Sequence, residues 1–347
     1  MRIMHTADIH LHREHPQRLE ALEQILLCGR EENIQLLLIA GDLFDSVVEA
    51  EFLRPQVRQL FDDPGYPILA IPGNHDAAAY SAGYYFGGQF EALTGEPLTI
   101  RDYPEYRLVA VPYRQGSFTP LISELRQAVN PDINNILLLH CTWSLPHYTN
   151  SDYGCPDEER YLPVTADVLD GLGYQFILAG HFHTRYQQHR LPSGTIFVYP
   201  GAPVSITSRE QGQRKVNLLV DGSCNELELA TWHHTRLEYT ISPENQEHIL
   251  NQIISDLAKQ PDYAQVSLVL NGYIRGSEEQ YRQQVTEMAN SAIVQFNLRG
   301  IAHILDDPLY CRFRELLESE VREPSLRRRA LELALNAFSA DKAGTSQ

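Results

Sequence analysis

The chain has 347 residues, with 28 Lys plus Arg against 45 Asp plus Glu, a formal net charge of −17. That length suits two domains, or one large α/β domain with an appendage, and 43% hydrophobic with 21% charged residues exclude disorder as the main state. The acidic balance excludes a dominant basic surface, so any nucleic-acid binding would rest on local patches, bound cations or a partner's charge.

In chain order, residues 2–8 (RIMHTAD) read as a first strand ending in an acid. Pro16 sits where a helix to about Glu31 would begin, with Leu19, Leu22, Ile25, Leu26 and Cys28 at helical spacing. IQLLLIAG (34–41) is an almost continuous apolar run, as in a parallel strand covered on both faces. A helix is expected over 49–62, and strands over 66–74, 135–141, 174–181 and 195–201. Strands alternating with helices predict a layered α/β fold, whose ligand site lies beyond the carboxyl ends of the strands. Near 232–242 the character changes. Strands at 236–241, 265–273 and 291–296 alternate with helices at 243–259 and 277–290, which predicts a small separate α+β domain. After Pro308 the chain reads as helix to about Ser339, with Arg327–Arg328–Arg329 as a solvated basic run.

Five cysteines (Cys28, Cys141, Cys155, Cys224 and Cys311) are scattered without a CxxC, which indicates neither a disulfide framework nor a thiolate zinc site. No run approaches the ~20 apolar residues of a membrane helix. Met1–Ile9 carries Arg2, His5 and Asp8 and reads as a strand, not a secretory leader. The expectation is a cytoplasmic protein without a membrane partner.

Polar groups cluster at the predicted strand ends. They are Asp8 and His10 in ADIH, Asp42 and Asp45 in GDLFD, Asn74, His75 and Asp76 in GNHD, His140 in LLLH, and His181 and His183 in GHFH. Singly, each also reads as a turn or a hydrogen-bonded structural residue. Together, in this order and context, they point to phosphoester hydrolysis. That reaction needs a hydroxide at neutral pH and neutralisation of the phosphoryl oxygens, which two divalent ions ~3.5–4 Å apart supply. Imidazole nitrogens with carboxylate and amide oxygens suit Mn, Fe or Zn better than Ca. Asp42, ending the central strand, is the natural bridging carboxylate. Asp-x-His and His-x-His put alternate residues on one side of an extended backbone.

The set ADIH, GDLFD, GNHD, LLLH and GHFH resembles the calcineurin-like metallophosphoesterase superfamily over about residues 1–235. The D-x-H-L opening, the second acid of GDLFD, the YPGAPVSIT segment after GHFH and the region that follows resemble the SbcD-type DNA repair exonuclease family. The resemblance implies a layered sandwich of two β-sheets flanked by helices over 1–235. It also implies an α+β capping domain over 236–305 and a helical, partner-binding segment over 306–347. Carried over by motif, one ion would be held by Asp8, His10, Asp42 and His183, the other by Asp42, Asn74, His140 and His181. Mn²⁺ is the favoured ion, with Fe²⁺ or Zn²⁺ as alternatives. His75 would face the scissile phosphate and protonate the leaving oxygen or stabilise charge, with Asp76 orienting it. Asp45 stands where some of these nucleases have a His linked to exonuclease activity; a turn or supporting hydrogen bond is its expected role.

The implied function is metal-dependent DNA exonuclease or endonuclease activity in repair or end processing, with DNA and an SbcC/Rad-type coiled-coil ATPase as partners; a homodimer is also open. Leu309, Phe313, Leu316, Leu317, Leu331 and Leu335 would dock the ATPase, or else fold back on the chain itself. Aromatics of the 142–163 loop (Trp143, His147, Tyr148, Tyr153, Tyr161) would stack on bases or pack against their own body. Two competing readings use the same site: a phosphodiesterase or phosphatase for a small nucleotide or phosphoester, and a scaffold that has lost catalysis. Intact ligands at every motif argue against the scaffold, and the length after residue 235 argues against a bare small-molecule enzyme.

Overall fold

The computed structural model describes residues 1–81, 83–144 and 162–344, and the chain divides into two compact units, Met1–His234 and Thr235–Gln347. Cys155 and most of the aromatic loop (His147, Tyr148, Tyr153 and Tyr161) lie outside the described residues.

The first unit opens with β1 (Ile3–Thr6), α1 (Pro16–Glu31), β2 (Leu36–Ala40), α2 (Val47–Asp62), β3 (Ile68–Ile71), α3 (Ala77–Ser81) and β4 (Phe90–Ala92). It continues with β5 (Thr99–Asp102), β6 (Tyr106–Ala110), α4 (Ile122–Ala128), β7 (Asn134–His140), α5 (Ala166–Asp170) and β8 (Phe176–Gly180). Four more strands follow: β9 (Gln187–Arg190), β10 (Ile196–Tyr199), β11 (Lys215–Val220) and β12 (Ser223–Glu228). One sheet has the order β12-β11-β1-β2-β3-β4 and the other β5-β6-β7-β8-β10-β9. Strands β1 to β4 are parallel, as are β6, β7, β8 and β10; β11, β12, β5 and β9 add antiparallel edges.

The side-chain period of two explains the layering. In β2, Leu36, Leu38 and Ala40 face a core shared with Leu108, Ile136, Leu138, Phe176, Leu178 and Val198 of the second sheet. Leu37 and Ile39 face the opposite side, packing with Leu22, Ile25 and Leu26 of α1 and Leu53, Val57 and Phe61 of α2. The second sheet's outer face packs Leu137, Leu139 and Ile177 against Leu125 of α4 and Leu169 of α5. The result is two mixed sheets face to face between helical layers, as the resemblance implied. Helix α2 starts at Val47, two residues before the expected position, because Ser46 caps it by accepting from the Glu49 N–H at 3.3 Å.

The second unit takes up the chain within β13 (His233–Ile241) and has α6 (Gln246–Leu257), β14 (Ala264–Ile274), α7 (Glu278–Ala289) and β15 (Ile293–Gly300), with sheet order β13-β14-β15 and β14 parallel to β15. Ile249, Ile253, Tyr281 and Val285 cover one face of this sheet against Leu268, Leu270 and Leu298. The tail is α8 (Ala302–Leu305), α9 (Pro308–Glu320) and α10 (Pro324–Gly344), not the single expected helix. The break has a local cause. Val321 turns extended at φ −102°, ψ 106°, and Pro324 disfavours helical backbone at the residue before it while fitting the first turn of α10. Arg327 reaches back across the break and donates to the Val321 carbonyl at 3.0 and 2.6 Å.

Helix α10 folds back on its own unit: Leu335 is buried with Ile301, Ile304 and Tyr310, Leu331 packs against them, and the Phe338 ring meets Tyr310 edge-on at 5.6 Å. Leu317 is also buried. Of the six residues expected on a docking face, Leu317 and Leu335 are therefore interior. Leu309 and Leu316 remain exposed at 69% and 46%, with Leu326 and Leu333 beside them in the sequence pattern at 55% and 62%. Leu335→Ala should destabilise this unit by about 2–5 kcal/mol, the usual cost of removing a buried leucine side chain. Both tryptophans, Trp143 and Trp232, lie in the first unit, so far-UV circular dichroism is the suitable probe. An unchanged urea midpoint would show that α10 does not pack as described.

Candidate metal centre

The motifs meet where the two sheets present the carboxyl ends of β1, β2, β3, β7 and β8. After β1 and β2 the chain runs on as a paired ribbon: Asp8 N–H donates to the Gly41 carbonyl at 3.1 Å, His10 N–H to Asp42 at 3.0 Å and Leu11 N–H to Leu43 at 2.9 Å. Within this ribbon and after β8, four non-glycine residues have left-handed backbone: Asp8 (φ 56°), His10 (50°), Asp42 (51°) and His181 (94°). Such positions cost on the order of 1–3 kcal/mol each and persist only where the surroundings enforce them. Two glycines make the approach possible. A Cβ on Gly41, itself at φ +93°, would lie 2.2 Å from His140 Nδ1, and one on Gly73 would lie 2.1 Å from Asp42 Oδ1.

The side chains converge and are buried: Asp8, His10, Asp42, His140, His181 and His183 are all at most 5% exposed. Two donor groups result, Asp8–His10–Asp42–His183 and Asp42–His140–His181, each with its atoms within 4.8 Å of one another, and Asp42 belongs to both. The facing Nε2 atoms of His10 and His183 are 3.2 Å apart. Asn74, half-buried, turns its Oδ1 to 2.9 Å from His140 Nε2, which places it with the second group. Asp8 accepts the His181 N–H on both oxygens at 3.0 and 2.9 Å. Asp42 Oδ1 accepts the His75 N–H at 2.9 Å, while buried Oδ2 accepts no hydrogen bond and lies 3.3 Å from His140 Nε2 and 3.7 Å from His10 Nε2.

The electrostatics fit cations. Burial pushes the Asp8 carboxyl up to about 6. Burial also raises Asp42, but the facing His140 and His10 hold it well below the usual carboxylate range. Burial would lower His140, yet Asp42 and Asp8 raise it to about 9, whereas burial prevails at His10 and lowers it to about 4. The carboxylates thus draw positive charge from whichever imidazole is nearest. A buried carboxylate oxygen without a hydrogen bond, opposed imidazole nitrogens and a shared aspartate are the donor set of two divalent ions. A further group, His10–Asp45–His75, borders this centre on its exposed side.

All the expected ligands are brought together, and His75 stands beside them as the exposed member. Its ring meets His10 edge-on at 4.6 Å, and its Nδ1 lies 3.2 Å from the Asp45 carbonyl oxygen. Asp76 departs from expectation. It is fully buried and accepts from Gly73 N–H at 2.8 Å, Phe44 N–H at 3.2 Å and Tyr80 Oη–H at 2.9 Å, and no hydrogen bond joins it to the His75 ring among the described residues. His75 is exposed while Asp76 is buried on loop backbone and Tyr80, so Asp76 fixes the loop rather than the imidazole. Asp45 takes the supporting place: its Oδ1 lies 3.4 Å from His10 Nδ1 and accepts from Arg18 at 3.1 Å. Trp143 is interior, packed on Phe197 at 4.4 Å, which removes it from any base-stacking surface. Three buried residues went unnoticed in the sequence: Arg18, Glu210 and Arg214. The only hint was a pair of opposite charges four residues apart in REQGQR.

Removing the shared carboxylate should empty the centre. Asp42→Ala is expected to lose bound metal by elemental analysis of protein reconstituted with Mn²⁺. Two ions retained per chain would remove Asp42 from the bridging position.

The calcineurin-like phosphoesterase family pattern matches residues 1–185. Among solved structures, the chain is similar to a dimetal phosphatase from Danio rerio at 12% identity, over 63% of this chain and 91% of that one, with a TM-score of 0.43. It is also similar to GAP50, the anchor in the inner membrane complex of Plasmodium, at 9% identity, over 85% and 96%, with a TM-score of 0.42. A 5'-nucleotidase precursor from Thermus thermophilus matches at 14% identity, over 75% and 60%, with a TM-score of 0.40. With its five motifs gathered into one buried donor cluster and its family pattern matched, the chain belongs to the calcineurin-like phosphoesterases, metal-dependent hydrolases that bind two divalent ions.

Proposed function

We propose that this chain is a DNA nuclease of the SbcD type, a phosphodiesterase that trims DNA ends together with a coiled-coil ATPase of the SMC-like class, in the cytoplasm. The observation that carries the phosphodiesterase chemistry is the buried Asp42 carboxylate shared between two donor groups. Two features support the nuclease reading over a small-molecule enzyme. A second compact unit, Thr235–Gln347, lies outside the hydrolase fold. Its last two helices expose Leu309, Leu316, Leu326 and Leu333, apolar side chains of the kind that suit a helical partner. A second copy of the chain is the other candidate partner. No described helix is long and apolar enough to cross a membrane.

One ion would be held by Asp8, His10, Asp42 and His183, the other by Asp42, Asn74, His140 and His181, with Mn²⁺ the best fit to the donors. When bound, the ions supply hydroxide at neutral pH and neutralise the phosphoryl oxygens. The chain's own residues do the rest. Asp42 is fixed by the His75 N–H at 2.9 Å, so the loop carrying His75 and the bridging carboxylate keep one register. The Asp45 carbonyl can only accept, so His75 Nδ1 carries its proton there, and a second proton on Nε2 is free to pass to the leaving oxygen.

His75→Ala should retain both ions and lose about 10²–10⁴-fold in turnover on DNA, the usual worth of positioned acid catalysis. Esters with good leaving groups should be nearly unaffected, because they need no proton. An unimpaired rate on DNA would take His75 out of the chemistry. The substrate class is tested by supplying Mn²⁺ and comparing linear duplex DNA with nitrophenyl and cyclic-nucleotide esters. Release of nucleotides from DNA ends supports the nuclease. Efficient turnover of the small esters with intact DNA would instead assign a small-phosphoester hydrolase.

A further inference from the structure

Strand β6 runs parallel to β7 in the second sheet, with Ala110 level with Leu138. Continued in that register, Pro112 is level with His140, and Arg114 stands two residues farther on, roughly 7 Å along the strand direction. The loop that carries it, residues 111–117, is pinned. The Val111 N–H donates to the Leu138 carbonyl at 3.0 Å, and the Tyr113 N–H donates to the Pro72 carbonyl at 3.1 Å. Phe118, where the loop ends, is buried in the outer core of that sheet. Pro72 directly precedes Gly73, Asn74 and His75. The loop of Arg114 is therefore bonded to the loop of Asn74 and His75, and it flanks the donor centre beside Asn74 and His140.

Three other arginines about this centre are already committed. Arg13 pairs with Glu49 at 2.9 Å, and Arg18 holds Asp45 at 3.1 Å and the His10 carbonyl at 2.7 Å. Arg214 donates to the Ala202, Thr184 and His183 carbonyls at 2.8, 2.9 and 2.7 Å. Arg114 is half-buried, yet its guanidinium has no hydrogen bond or ion pair among the described residues. A partly desolvated cation without a partner is unfavourable in the protein by itself. In a chain with 45 acidic residues against 28 basic ones, a neutralising carboxylate is not scarce. An unpaired cation on a pinned loop, next to a centre that hydrolyses phosphoesters, suits an anion brought by the substrate. Its place past the level of His140 sets it beyond the reacting phosphate, which sits on the ions. A polynucleotide carries a further phosphate at every nucleotide, whereas a small diester has none to offer.

We propose that Arg114 is a specificity-determining residue that holds a phosphate neighbouring the scissile one in a polynucleotide strand. This rests on the nuclease reading of the centre. A guanidinium presents a planar fork of donors that matches two oxygens of one phosphate, and such charge-assisted bonds are about twice as strong as neutral ones. One contact of this kind gives a chain of net charge −17 a local hold on a strand that its overall field opposes. It also separates polynucleotides from single-phosphate esters without a basic groove.

The test compares two substrates of the full-length protein supplied with Mn²⁺: a short single-stranded oligonucleotide, and bis(p-nitrophenyl) phosphate, a diester with one phosphate. Arg114→Ala should lower the ratio of kcat/KM on the oligonucleotide to that on the small diester about 10–100-fold, with the loss in KM, as expected for a hydrogen bond between charged partners. The slope of log KM against log salt on the oligonucleotide should become shallower by about 0.7, the share of one phosphate contact on a single strand. Arg114→Lys keeps the charge and loses the fork, so it should restore the salt slope and part of the affinity. Circular dichroism melting checks the fold; if Arg114→Ala melts well below the native chain, Arg114→Gln, which keeps most of the stem, is compared in its place. An unchanged ratio, or an equal loss on both substrates, overturns the assignment while leaving the nuclease reading standing. A native protein that leaves the oligonucleotide intact overturns both.

Discussion

The site is organised around one carboxylate, Asp42, that is buried and shared by two sets of donors. Burying an ionised carboxylate is costly unless it is paired, and only one of its oxygens has a hydrogen bond, from the His75 N–H. The remaining demand for positive charge shapes everything nearby. It raises the proton affinity of His140, sets His10 Nε2 3.7 Å from the same oxygen and gathers His181 into the second donor group. Such a site is poor as a packing solution and good as a cation cradle. The same physics accounts for the glycines before it: side chains at Gly41 or Gly73 would collide with His140 or with Asp42 itself.

The backbone around that carboxylate is held in conformations most residues avoid, and the sandwich makes this possible. Left-handed geometry at Asp8, His10, Asp42 and His181 falls where strands β1, β2 and β8 have just ended. Those strands are buried on both faces, between the inter-sheet core and a helical layer. A close-packed scaffold of this kind transmits little give, so the four turns cannot relax to ordinary dihedrals without breaking the ladder at both ends. The Asp8 pair of hydrogen bonds to His181 N–H ties the first sheet to the second at this point. The strain and the catalytic geometry therefore have one origin, the convergence of strand ends from two sheets on a single point.

Much of what was legible in the sequence follows from burial, although the buried strands β6 and β11, each with a polar or charged residue in its short run, also went unread. Strands β2, β7 and β8 read clearly because central parallel strands are apolar on both faces. The edge strands β4, β5, β9 and β12 escaped because they are short, largely polar and exposed on at least one face, which makes them look like loop. The ligands were legible because each follows a recognisable strand directly. Glu210 and Arg214 were not, since they lie in the segment between β10 and β11 and reach His183 only through the tertiary fold. Asp76 misled for the opposite reason. Its neighbour His75 is exposed while Asp76 is fully buried, so adjacency in sequence concealed different surroundings in space.

The charge distribution reconciles an acidic chain with an anionic substrate. Among the described residues, Asp8, Asp42, Asp45, Asp76 and Glu210 lie in or against the centre, with Arg18 and Arg214 as the permanent cations among them. The excess of three carboxylates is close to what two divalent ions neutralise, with one positive charge left over. On the proposed reading, that residual charge attracts a phosphodiester, which carries a single negative charge, into a site whose walls have low dielectric. A chain of net charge −17 thus needs no basic groove to draw the scissile group inward. On the proposed reading its acidity repels the flanking phosphates of a long polyanion, and ion loading becomes the condition for the reacting phosphate to bind.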